Sequence, residues 1–341
     1  MNKALPGCLV IVLLLFLSCS KEPPADTGTI VSREAFAEHL DENSEFIIIL
    51  PDIQNYISVE AYTPYLEKII SCILALDTYG FKIKAVIQVG DVTNYNTPGE
   101  WERARSLFSR FDYRIPYIMC TGNHDYGVNG DCSTRETLFS GYFNYRNDSS
   151  LVASFERDRF ENTVFEVELF NRPVHIYSLE FGPRDKVLTW ADSVAKANTG
   201  VMGILLTHAY MFKAEQRYDF SVFHYEQNVS PYAFSFSMSE KVNDGEEIWQ
   251  KLVRPNDIFR FVFSGHKTSP DYLGTLISEN TEGNGCLQIL FNTQDLPYGG
   301  EGWFQILEFH SDMRSASLKN YSVLLNAWEN SILNKGSFIY K

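Results

Sequence analysis

The run Gly122-Asn123-His124-Asp125 concentrates chemistry in four residues, directly after the apolar stretch Ile115–Met119. Asn123 offers a neutral oxygen, His124 a nitrogen ligand or a proton near neutral pH, and Asp125 a carboxylate able to orient the histidine. Gly122 marks where the backbone leaves the strand and turns. A polar turn with an Asx-type cap would account for this tetrad on its own. Four other stretches argue for function, because each also sets metal-competent side chains at the end of a strand-like run. Asp52 and Gln54 follow 46–50, Asp91 follows 85–89, His208 follows 201–206 and His266 follows 258–263. Singly, each has a bland explanation: His208 as a satisfied core histidine, Asp91 as a helix N-cap. Together, carboxylate, amide oxygen and imidazole suit divalent Mn, Zn, Fe or Co rather than a hard cation such as Ca.

The elements that must position these residues read as an alternating pattern. The continuous apolar runs 46–50, 85–89 and 115–119 are short strands covered on both faces. Helical spacing of Tyr65, Ile69, Ile70, Ile73 and Leu76 predicts a helix over 62–77, and 101–111 predicts a second. Strand–helix–strand–helix–strand implies parallel units, whose ligands bind at the carboxyl ends of the strands. The middle of the chain alternates instead, at 164–169, and predicts antiparallel strands with one face exposed. A helix over 185–197, strands over 174–181, 201–206 and 258–263, and a helix over 245–252 follow. The runs 272–278, 286–291 and 303–309 read as antiparallel strands. The aromatic stretch 210–240 lacks a period and reads equally as a loop packed back on the fold or as a wall beside the site.

The chain has 341 residues and a formal net charge of −14, which disfavours non-specific nucleic-acid binding. Met1-Asn2-Lys3 and the apolar run 8–17 form a signal-peptide pattern too short to span a bilayer. The end of that run, Phe16-Leu17-Ser18-Cys19-Ser20, resembles the lipobox of bacterial lipoproteins. The resemblance implies a signal peptide over 1–18, a lipid-modified Cys19, a polar tether and lead-in over 19–44, and one domain over 45–341. The expected location is outside the cytoplasm, held to the cell envelope by lipid alone. Cys120 and Cys132 flank the Asn-His-Asp loop and read either as a bracing disulfide or as buried free thiols.

The order Asp52-x-Gln54, Gly90-Asp91-x-x-Asn94, Gly122-Asn123-His124-Asp125, lone His208 and Gly265-His266 resembles the calcineurin-like metallophosphoesterases. Leu50-Pro51-Asp52, Glu100-Trp101, the 245–249 helix and Trp303 are similar to a secreted bacterial branch of that family. The resemblance implies an α/β fold, a four-layer α/β/β/α sandwich with mixed sheets, and one or two divalent transition metal ions (Mn, Zn or Fe). It implies that Asp91 bridges two metal positions, with Asn123, His208 and His266 completing one and Asp52 and Gln54 serving the other. In that second position Gln54 and Thr268 stand where the family carries histidines; His224 and Asp271 are possible substitutes. His124 would donate a proton to the ester or leaving oxygen, oriented by Asp125. The implied reaction is hydrolysis of a phosphoester, mono- or diester, on a phosphorylated small molecule, nucleotide or lipid headgroup. Lys267, Arg184 and Lys213 are candidate phosphate contacts. A binding or scaffold protein that no longer turns over is the alternative from another class. A peptide- or glycan-acting hydrolase on a similar scaffold is a third reading, which no nucleophile motif such as Gly-x-Ser-x-Gly supports.

Overall fold

The structure, a computed structural model, describes residues 31–146, 148–224, 226–268, 270–329 and 337–340. The signal-peptide pattern, Cys19 and the first part of the tether and lead-in, 19–30, lie outside the described residues. Three parallel strands come first: β1 (Glu45–Leu50), β2 (Lys82–Gln88) and β3 (Tyr117–Met119). The chain then builds a second sheet from β4 (Leu151–Glu156), β5 (Arg159–Leu169), β6 (Arg172–Ser178) and β7 (Met202–Leu206). A two-stranded ribbon, β8 (Met211–Lys213) with β9 (Gln216–Arg217), interrupts it. β10 (Phe259–Ser264), β11 (Leu273–Glu279) and β12 (Gly285–Phe291) complete the second sheet, in the order β11-β12-β10-β7-β6-β5-β4. The chain finally returns to the first sheet with β13 (Trp303–Phe309), β14 (Ser315–Ser322), β15 (Ala327–Glu329) and β16 (Phe338–Ile339). β13 is antiparallel, as expected, and its partner is β1, so it lies in the first sheet rather than beside β11 and β12.

Strand periodicity explains how continuous apolar runs serve two layers at once. In the second sheet Phe165, Ile176, Ile204, Phe261 and Ile289 belong to the core between the sheets. Their chain neighbours Val164, Tyr177, Leu205, Val262 and Leu290 belong to another core, under the helix Asp185–Ala197 and the helical turns 245–253. Successive side chains on a strand point to opposite faces, so each run feeds both cores. The sheets meet face to face, with Phe261 edge-on to Phe309 at 5.5 Å between centroids. On the outer face of the first sheet the helix Thr63–Thr78 buries Leu66, Ile69, Ile70, Ile73 and Leu76. Their i, i+3, i+4, i+7 spacing makes one apolar stripe. The second helix begins at Pro98 rather than Trp101, where Thr97 and Glu100 form a reciprocal capping box. The result is helix, sheet, sheet, helix: the expected four-layer sandwich.

Two features fix where the strands end. β1, β2 and β3 run parallel, as do β6, β7, β10 and β12, so their carboxyl ends gather at one edge of each sheet. The Ser178 hydroxyl at the end of β6 donates to the Met119 carbonyl at the end of β3 at 2.8 Å, joining the two edges.

Candidate metal centre

Each motif residue sits two to four positions beyond a strand. Asp52 follows β1, Asp91 follows β2, Asn123 follows β3, His208 follows β7 and His266 follows β10. The buried Gln88 side chain ties the first two turns together. Its amide nitrogen donates to the Gly90 carbonyl at 2.6 Å and the Pro51 carbonyl at 3.1 Å, and its oxygen accepts from Gly90 N–H at 3.0 Å. Asp91 and His266 both hold left-handed backbone angles, φ 53° and 70°, without being glycine. Such strain costs on the order of 1–3 kcal/mol at each residue and clusters at functional sites.

Asp91, His208 and His266 present ligand atoms within 4.8 Å of one another. The ring of His208 is fully buried, and its Nδ1 donates to the Val89 carbonyl at 2.7 Å. That bond fixes the tautomer and turns the Nε2 lone pair into the site. Nε2 then stands 3.2 Å from Asp91 Oδ2 and 4.0 Å from Asp52 Oδ2. Lone pairs facing one another at this range need a cation between them, either a proton or a metal ion. Burial works against the charged ring, but Asp91 and Asp52 outweigh it and hold His208 up at about 9. Two ligands about 2.1 Å from a common ion and roughly 100° apart stand about 3.2 Å from each other, so the same geometry accepts a metal. The Asn123 side-chain oxygen is buried and has no hydrogen-bond donor, as expected of an oxygen reserved for a cation. His266 donates through Nε2 to the Val229 carbonyl at 2.6 Å, leaving Nδ1 as its free lone pair. Burial first, and then the neighbouring His208, push His266 down to about 3, so its ring is neutral. With a metal ion in place of the His208 proton, the donor set of one carboxylate, one amide oxygen and two imidazoles fits a divalent transition metal.

The turn that carries His124 is packed against Asp91 rather than merely near it. His124 N–H donates to Asp91 Oδ1 at 2.9 Å. Asp125 does not orient the His124 ring, contrary to expectation. Its carboxylate is taken up by the backbone N–H groups of Val92, Thr93 and Gly122, at 3.1, 2.8 and 2.9 Å, and by the Thr93 hydroxyl. It therefore ties the turn after β2 to the turn after β3. Burial, and then Asp91, push its carboxyl up to about 6. The His124 ring is held instead by the Asn94 carbonyl, 3.0 Å from Nδ1, which leaves Nε2 as the ring's other nitrogen.

Asp52 and Gln54 are arranged differently. Gln54 is buried and turns its amide nitrogen toward Asp91 Oδ2, at 3.1 Å, while its oxygen has no donor. Asp52 accepts from His266 N–H at 3.1 Å and from the Asn292 side-chain nitrogen at 2.6 Å. Sequence reasoning missed Asn292. It follows β12 directly, so the rule that found the other residues applies to it. Reading 286–291 as an antiparallel strand hid it, because its carboxyl end was then expected at the opposite edge. Among the described residues neither His224 nor Asp271 joins the metal-competent cluster. Cys120 and Cys132 are free and buried.

The aromatic stretch after Tyr210 is both packing and wall. Val229 holds His266, while Phe234 meets Phe181 edge-on at 4.9 Å and lies 6.0 Å from the His266 ring. Arg184 is committed to Glu180 by two hydrogen bonds, at 2.7 and 2.9 Å, so it is not a spare phosphate contact. Lys267 and Lys213 both lie by the ring of Phe212. A broad cleft of about 780 Å3 opens at the start of β3, between Arg105, Tyr113 and Tyr145, and no motif residue lines it.

Two sheets whose strand ends deliver carboxylates, an amide and imidazoles to one buried point define the class: the chain belongs to the calcineurin-like phosphoesterase family, whose sequence model matches residues 47–270. Members of the family use divalent metal ions, and the cluster here is a candidate centre for them. The chain is similar to an uncharacterised Bacillus subtilis (strain 168) protein, YvnB, with 25% identity over 248 residues. That match covers 70% of this chain and 17% of YvnB, so the chain spans about a sixth of that relative. The purple acid phosphatase PPD1 of yellow lupin (Lupinus luteus) seeds superposes over 85% of this chain and 53% of its own, with TM-score 0.48 and 12% identity. A 5'-nucleotidase precursor from Thermus thermophilus does so over 87% and 54%, with TM-score 0.43 and 12% identity.

Proposed function

We propose that this chain hydrolyses a phosphoester, with Asp91, Asn123, His208 and His266 holding a divalent metal ion. One observation carries the reading: His208 Nε2, clustered with Asp91 and His266, is buried without a hydrogen-bond partner, and so is the Asn123 oxygen, on the turn whose His124 N–H donates to Asp91. A metal ion held there would polarise a phosphoryl oxygen and lower the pKa of a bound water. The protein's own part is positioning and proton transfer. Asp91 is gripped by the His124 N–H, and the same turn presents the His124 ring to the leaving side, where its Nε2 can deliver a proton. The substrate class is a phosphorylated small molecule, nucleotide or lipid headgroup.

The test uses full-length protein loaded with Mn(II) or Zn(II), and p-nitrophenyl phosphate and its bis-ester as probes. Hydrolysis of at least one ester, abolished by chelator, is expected. His124→Ala should lower kcat about a hundredfold or more with metal content unchanged. Asp91→Ala should lose the metal. Collapse of metal content in the His124 variant would make that residue a ligand. Inert metal-loaded wild type would favour the binding or scaffold reading, to which the altered surroundings of Asp52 and Gln54 lend support.

In the same proposal Cys19 is lipidated after removal of residues 1–18, and the protein is exported and held to the envelope by that lipid. Labelling with a radioactive fatty acid should mark the wild type and not Cys19→Ser; equal labelling of both would sink the lipoprotein reading.

A further inference from the structure

Two amide side chains stand where a second cation would have to reach the carboxylates. Gln54 Nε2 donates to Asp91 Oδ2 at 3.1 Å, the oxygen that also faces His208, while the buried Gln54 oxygen, like that of Asn123, has no donor. Asn292 Nδ2 donates to Asp52 Oδ2 at 2.6 Å. The orientation of Asn292 is not arbitrary. Its oxygen accepts from the Gln294 N–H at 3.0 Å, so turning the amide over would strand that N–H and set oxygen against the Asp52 carboxylate. The backbone N–H of His266 supplies Asp52 Oδ2 with another donor at 3.1 Å. The space is also tight: a Cβ on Gly265 would come within 1.9 Å of Asp52 Oδ1. N–H groups and a metal ion compete for the same carboxylate lone pairs, and Asp52 Oδ2 already takes two N–H groups, while Oδ1 has only the longer His266 contact at 3.4 Å.

We propose that this chain holds one metal ion, at Asp91, Asn123, His208 and His266, and that Gln54 and Asn292 take the place of a second. They are positioning residues: their hydrogen bonds hold Asp91 and Asp52 where a second cation would otherwise hold them by charge. The inference rests on the proposed function for the location of the ion and departs from the paired centre that the family resemblance implies.

The experiment counts Mn(II) on the full-length chain after removal of excess ion, by elemental analysis, with electron paramagnetic resonance as a second readout. One Mn(II) per chain with the six-line spectrum of an isolated ion is expected. Two per chain, or an exchange-coupled spectrum, overturns the proposal. The double variant Gln54→His, Asn292→Asp replaces both amides with metal-competent groups, and its stoichiometry should rise to two with a coupled spectrum. A folded double variant that still binds one ion overturns the role given to the amides. Activity separates this inference from the functional one. One ion without ester hydrolysis defeats the function and leaves the single-ion centre standing, two ions with hydrolysis do the reverse, and no bound ion defeats both.

Discussion

At the scale of single residues, Asp91 is constrained from several sides at once. Its Oδ1 takes the His124 N–H, its Oδ2 faces both Gln54 and His208, and its backbone is left-handed. Burial disfavours its charge, yet His208 and His124 hold its carboxyl well below the usual carboxylate range. Gly122 matters to it for reasons of space alone. The glycine's φ of −98° suits any residue, but a Cβ there would lie 2.1 Å from Asp91 Oδ1 and 2.3 Å from Asp91 N. Gly122→Ala should therefore displace Asp91 and weaken metal binding by about tenfold to a hundredfold, the range for groups that orient ligands. Calorimetric titration with Zn(II) would measure it, and wild-type affinity in the variant would mean that Asp91 can shift without consequence. The chemistry of Asp91, Asn123, His208 and His266 was legible as residue types after apolar runs. That Asp125 grips backbone N–H groups rather than His124 was not, because adjacency in sequence does not say which way a carboxylate turns within a 3₁₀ turn.

At the scale of elements, the segment from Val229 to Glu240 is held to the site by His266 at one end and by Arg135 at the other. Arg135 donates to the Phe181 and Gly182 carbonyls at 3.2 and 2.9 Å and pairs with Glu240 at 2.6 Å, its guanidinium 4.2 Å above the Phe236 ring. Only a planar, forked donor satisfies all of these together. Arg135→Ala removes the nearer partner of Glu240, leaving Arg184 at 3.8 Å, and takes the side-chain donor from the Phe181 and Gly182 carbonyls; for so exposed an acid the lost ion pair costs about 1 kcal/mol. Chymotrypsin should then cut at Tyr232, Phe234 or Phe236 well before the rest of the fold, as mass spectrometry of the fragments would show. Cutting at the wild-type rate would mean that the aromatic contacts suffice. This brace was invisible in the sequence, since the stretch has no period and its partners come from distant parts of the chain. The strands and the long helices were legible because their apolar spacing is dense. The helix at 185–197 and the strand at 303–309 fell where the pattern put them. The late strands 315–322 and 327–329 were not, because their polar, intermittent pattern follows from having one covered face.

At the scale of the whole molecule, neither sheet holds the centre alone. Asp52, Asp91 and Asn123 come from the first, and His208, His266 and Asn292 from the second. An ion there joins two halves that otherwise meet only through their cores and a few bonds such as that of Ser178 to Met119. The sequence showed that both groups of strands exist. It did not show which sheet β13 joins, because pairing between residues about 260 positions apart leaves no local trace. That pairing has a consequence in time. A chain emerging from the ribosome makes β1, with Asp52 behind it, among its earliest strands, yet β13, the second neighbour of β1, comes only after the entire second sheet. For most of synthesis Phe46–Leu50, every residue of which ends up buried, has an open edge. The turn bearing Asp52 therefore gains the second neighbour of its strand only when the C-terminal part of the chain is present.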